Sequence, residues 1–114
     1  MGKVYNYTAK IPVADQDPVT ISIELPDKGT SICSTGINTP AGIITIKDEG
    51  SEVIGKGADL KSNTIVIASN PINPAPEIDV IRVNIYANGQ LVGQHSNTKT
   101  VTKTPQIMVY LTIQ

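Results

Sequence analysis

The chain has 114 residues, a net charge of −1, one cysteine, one histidine, four tyrosines, no Phe and no Trp. That length makes a single domain, 1–114, able to bury roughly two-thirds of the surface its unfolded form exposes. The scattered charges exclude a basic nucleic-acid stripe or an acidic tail, and Cys33 alone excludes an intramolecular disulfide or a cysteine-rich zinc site.

Tyr5, Tyr7, Ala9 and Ile11 alternate with Asn6, Thr8 and Lys10, which predicts a strand closed by Pro12 and "ADQDP". Val19, Ile21, Ile23 and Leu25 alternate with Thr20, Ser22 and Glu24 in a second strand with one wet face. "PDKG" (Pro26 to Gly29) has the chemistry of a tight turn. "TSICS" reads as a short strand and "TGINTPAG" as a loop. Ile43, Ile44 and Ile46 mark a strand that "DEGS" folds back into "EVIG" as a hairpin. "GKGADL" suits a short turn of helix. "SNTIVIAS" is another strand. Pro71, Pro74 and Pro76 then favour an extended crossing from one sheet to another. "IDVIRVNIYA" and "QLVGQHS" meet at Asn88-Gly89, whose tolerance of positive φ predicts a type I′ hairpin. Ile107 to Ile113 is the last strand.

This pattern predicts an all-β fold: an antiparallel two-layer β-sandwich of 7–8 strands, immunoglobulin- or fibronectin-like in architecture only. A jelly roll or a small barrel is the alternative. β-branched Ile, Val and Thr suit such pleated, half-buried surfaces. No apolar run reaches the roughly 20 residues of a membrane span. "MGKVYNYTAK" lacks the apolar core of a signal peptide, and Asn6 stands where a myristoylation motif at Gly2 wants Ser or Thr. Asn6-Tyr7-Thr8 is a formal glycosylation acceptor. These features suit a cytoplasmic protein and a processed surface or secreted one equally.

The candidate chemistry is sparse. His95 is the obvious general base, but Ser96 beside it points to the opposite face of the strand, and no G-x-S-x-G elbow exists. A surface or half-buried strand histidine is the expectation. Cys33 has no positive neighbour in sequence and reads as a small core residue. Asp15 and Asp17, and Asp48, Glu49 and Glu52, lie in turns that explain them without a metal. No catalytic residue, metal or cofactor is assigned, and the chain is read as not an enzyme.

Two sets of residues invite binding. Met108 and Tyr110 put apolar groups on the second face of the last strand, where a sandwich needs only one. Val80 and Tyr86 do the same beside Arg82 and Asn84. Met108 and Tyr110 imply a protein partner or self-association: a non-catalytic module for assembly or recognition, such as a subunit of a surface or phage-like structure. The alternative is a carbohydrate-binding module that stacks ligand on Tyr5, Tyr7 or Tyr86. Tyr5 and Tyr7 are also the largest groups available to a core without Phe or Trp.

Overall fold

A computed structural model describes residues 2–114. It is an all-β sandwich of two packed sheets. Nine strands run in chain order: β1 Val4–Ile11, β2 Pro18–Glu24, β3 Ile32–Thr39, β4 Gly42–Lys47, β5 Gly50–Lys56, β6 Thr64–Ile72, β7 Val80–Ala87, β8 Gln90–Thr98 and β9 Gln106–Ile113. One short helical turn, α1, covers Gly57–Leu60. The five-stranded sheet has the order β1-β9-β6-β3-β4 and the four-stranded sheet β5-β2-β7-β8. The body is elongated, 46 × 23 × 22 Å.

Alternation builds the core. The inward residues of β2, β6, β7 and β9 include Ile21, Ile67, Ile85 and Val109, all without solvent exposure. Their neighbours in sequence face outward. Each strand thus commits one face to the space between the sheets.

Four expectations need correction. The described residues form nine strands, not seven or eight. The sandwich is not wholly antiparallel, because β1 pairs with β9 in parallel over its whole length, Val4 opposite Gln106 to Ile11 opposite Ile113. Parallel neighbours need a long crossover. Here the rest of the chain supplies it, since the pair joins the first strand to the last. The segment read as a loop, Thr35 to Gly42, is the second half of β3 and its turn into β4. Gly36 and Asn38 hide the strand, but they face outward while Thr35, Ile37 and Thr39 face the core.

The fourth correction concerns "DEGS". β4 and β5 do not pair; they lie in different sheets. The chain crosses over at Asp48, whose φ is 57°. Asp48 Oδ1 accepts from the Cys33 amide at 2.9 Å, and Glu49 Oε2 accepts from the Leu25 amide at 2.9 Å. The two carboxylates thus tie the crossing to one sheet and then the other. β5 pairs with β2 instead.

Other turns form as expected. The Pro-rich crossing between the sheets starts later than the prolines suggest, because Asn70, Pro71 and Ile72 extend β6 beside β3, and the segment after Ile72 makes the crossing. Asn88 and Gly89 have φ of 48° and 79° between the antiparallel β7 and β8. The strand order differs from an immunoglobulin constant domain, whose first two strands pair with each other. Here β1 and β2 lie in opposite sheets.

Asn88 does more than turn the chain. A bulge between Val19 and Thr20 interrupts the β2–β5 ladder. The Asn88 carboxamide lies beside it, accepting from the Thr20 amide at 2.8 Å and donating to the Pro18 carbonyl at 3.2 Å. Asn88→Ala loses both bonds and leaves in left-handed backbone a residue that tolerates it less well than asparagine, so it is expected to destabilise by about 2 kcal/mol. Asn88→Gly loses only the bonds and is expected to be milder by about 1 kcal/mol. Urea denaturation of the two variants checks this. Equal losses would assign the whole effect to the hydrogen bonds.

Candidate functional site

His95 lies deeper than a surface or half-buried strand residue: it is 2% exposed on the inner face of β8. Its ring sits 4.4 Å from that of Tyr5, tilted 55°. The Asn97 amide donates to the carbonyls of Thr98 (2.8 Å) and Thr102 (3.0 Å), which fixes its orientation. Asn97 Oδ1 is then an acceptor, so His95 Nε2–H donates to it at 2.7 Å. His95 Nδ1 is left to accept from the Tyr7 hydroxyl at 2.6 Å. Burial lowers the His95 pKa, with the Asn97 bond pulling weakly the other way. Burial raises that of Tyr7, with the nearby Tyr5 adding to the effect. Both shifts favour the neutral pair. With both ring nitrogens engaged, the arrangement clamps β1, β8 and the 98–102 turn together.

Tyr5 and Tyr7 share one strand face, as the spacing requires, but it is the inward one. Both are half-buried and packed on the core. Cys33 is buried, with its Sγ 3.0 Å from Ser69 Oγ, itself 3.0 Å from Thr35 Oγ1. The acidic turns serve local structure: Asp15 pairs with Lys61 at 2.6 Å, alongside the backbone capping by Asp48 and Glu49. Among the described residues, no three His, Cys, Asp or Glu side chains gather closely enough for a metal ion. None of the helices described is long and apolar enough to cross a membrane.

Met108 and Tyr110 are half-buried on the outer face of the five-stranded sheet. Register places them in two transverse rows. One runs Thr8, Tyr110, Val66, Asn38, Ile43; the other runs Asn6, Met108, Ala68, Gly36, Thr45. Small or apolar groups from β9, β6 and β3 therefore form a continuous centre. At the β4 edge Ile43 is 73% exposed. The charged groups at these outward strand positions are Lys10 and Lys47, near opposite edges. Asp48, next in sequence to Lys47, adds a carboxylate at that margin. Shallow depressions flank the centre, one lined by Ile32, Lys47, Asp48, Asn70 and Ile72, the other by Lys10, Thr64, Tyr110 and Thr112.

The outer face of the four-stranded sheet has the opposite character. Arg82 makes a two-pronged ion pair with Asp27, at 3.0 and 2.5 Å. Glu24 Oε1 accepts from Asn84 Nδ2 and from the Tyr86 hydroxyl, both at 2.9 Å. These bonds, Asn84 first and then Tyr86, lower the Glu24 pKa and keep it a carboxylate. Glu24, Asn84, Arg82 and Gln94 are not candidates from sequence. They stand as isolated polar positions in three strands, and only the pairing of β2, β7 and β8 brings them together.

No protein-family model matches the chain, and no curated protein matches it in sequence.

Proposed function

We propose that this chain is a non-catalytic β-sandwich module that works by protein–protein contact, through the outer face of the five-stranded sheet. The observation that carries this reading is the pair of rows centred on Met108 and Tyr110. They form an uncharged, half-buried centre, with Lys10 at one margin and Lys47 beside Asp48 at the other. Five strands at about 4.8 Å spacing, each roughly 25 Å long, give a footprint of about 600 Å². That approaches the roughly 800 Å² per partner of an ordinary stable interface. Fully burying one such side chain contributes about 1.5–3 kcal/mol before association costs.

Such a face suits a subunit of a larger assembly, where another copy or a neighbouring subunit covers it. The Tyr7–His95–Asn97 clamp supports a non-catalytic reading, because it uses the lone imidazole to hold structure. Light scattering across a wide concentration range, with capture of partners by the immobilised chain, tests the proposal. Tyr110→Glu places a charge in the centre of the face and is expected to abolish self-association or capture. Circular dichroism checks that the sandwich survives. A chain that stays monomeric and captures nothing overturns the proposal, as does an association that Tyr110→Glu leaves unchanged.

A further inference from the structure

We propose that the opposite face of the molecule, on the four-stranded sheet, binds a neutral carbohydrate. A sugar ring would lie over Tyr86 and Leu91, with its hydroxyls taken by Asn84, Glu24 and Gln94. The inference is independent of the protein-contact reading, because it uses the other sheet.

Register sets out the array. One transverse row is Leu91, Tyr86, Ser22 and Ser51. The next, two residues along β2 and β7 and three along the bulged β8, is Gln94, Asn84 and Glu24. A third holds Ser96 and Arg82. Strands lie about 4.8 Å apart and alternate residues about 6.8 Å apart along a strand, which is the scale of one pyranose ring. The apolar pair Leu91 and Tyr86 therefore stands beside an amide and carboxylate row within about the width of one sugar ring. Leu91 and Gln94 are exposed, while Tyr86, Asn84 and Glu24 are half-exposed.

The polar groups are held in place. Glu24 Oε1 takes the bonds from Asn84 and Tyr86, and Oε2 has no protein partner among the described residues. Asn84 spends its amide on Glu24 and keeps its carbonyl as an acceptor. Gln94 offers both a donor and an acceptor. A sugar hydroxyl donates and accepts at once, so a fixed mixture of this kind matches it. An open groove of about 530 Å³ touches the array at Asn84 and Gln94 and runs past Arg82 and Ser96 to Tyr7 and His95, away from Tyr86 and Leu91.

Charge selects the class. Arg82 is the one cation in these rows, and Asp27 neutralises it through two bonds. Glu24 adds a negative charge that no salt bridge among the described residues pairs, with the exposed Lys28 near enough to lower its pKa. A phosphate, sulfate or uronate would find no unpaired cation in these rows and would face the Glu24 carboxylate, whereas neutral hydroxyls need no cation.

The test is an array of neutral gluco-, galacto- and manno-configured oligosaccharides, with uronate-bearing oligosaccharides as the contrast. The best neutral disaccharide is then titrated into isotope-labelled full-length protein and followed by NMR. The expected result is saturable shifts of the Asn84 and Gln94 side-chain amides, with uronates silent. Tyr86→Ala and Gln94→Ala should each weaken binding by about tenfold. Gln94 is exposed on an edge strand, so its variant reads the site even if Tyr86→Ala unfolds. Tyr110→Glu, on the far face, should leave binding unchanged. Silence from every neutral sugar overturns the inference. So does uronate binding of equal strength, or affinity that Gln94→Ala leaves intact.

Discussion

Asn97→Ala is expected to lower the unfolding free energy by about 3 kcal/mol, against about 1 kcal/mol for Tyr7→Phe. The difference comes from what each change leaves behind. Tyr7→Phe removes one donor, and His95 Nδ1 loses one bond. Asn97→Ala strips partners from the buried His95 Nε2–H and from the carbonyls of Thr98 and Thr102. An orphaned buried polar group costs about 1–3 kcal/mol, more than a hydrogen bond adds on formation. Chemical denaturation of the two variants measures the gap. Equal losses would mean that water reaches His95 and replaces Asn97.

The same clamp sets a pH dependence. Burial lowers the His95 pKa below its ordinary value of 6.5. The unfolded chain therefore takes up the imidazole proton at higher pH than the folded one. Stability rises with pH wherever the unfolded state binds more protons. The contribution is complete above the unfolded pKa and is lost as pH falls through that value towards the folded one. His95→Gln keeps a donor and an acceptor but cannot titrate. Between about pH 7.5 and pH 5, above most carboxylate titrations, the native chain should lose stability that His95→Gln retains. Parallel slopes would show that another group carries the dependence.

What was legible in the sequence followed from local rules. Val19 to Leu25 could only be a strand with one wet face, and Asn88-Gly89 could only be a tight turn with positive φ. What stayed hidden depended on which strand meets which. Nothing in "DEGS" distinguishes a hairpin from a crossing, because Asp and Gly serve both. The deciding bonds go to Cys33 and Leu25, which are remote in sequence. The parallel β1–β9 pair joins the two ends of the chain and has no turn to announce it. His95 is a polar residue at an inward position, and its partners Tyr7 and Asn97 come from two different elements. The expectation of a surface or half-buried histidine failed because a period-2 pattern cannot say that hydrogen bonds are waiting on the inner face. Met108 and Tyr110 were visible because they break the one-face rule within a single strand. Glu24, Asn84 and Gln94 break no rule at all and become a group only through register.

Gly93→Ala separates local preference from packing, and the two predict opposite signs. A glycine inside a strand is unfavourable by roughly 0.5–1 kcal/mol relative to alanine, so propensity alone makes the variant more stable. Gly93 is buried, however, and faces the core beside the bulge at Ile85 and Tyr86. A Cβ there would lie 2.8 Å from Val109 Cγ2 and 3.6 Å from Ile85 Cβ. Val109 is fully buried on β9, which is flanked by β1 and β6, so its backbone has little freedom to retreat. We expect net destabilisation of about 2 kcal/mol, within the usual range for an overpacked core. Val109→Ala alone should cost a similar amount, about 2 kcal/mol, by opening a cavity. The double variant places the added methyl against the vacated space. It should lose at least about 1 kcal/mol less than the two single losses together, as expected for residues in contact. Additive losses would mean that Gly93 is required by the backbone of the bulge rather than by Val109. A stabilised Gly93→Ala would mean that the sheets are not packed as closely at this point as the 2.8 Å approach implies.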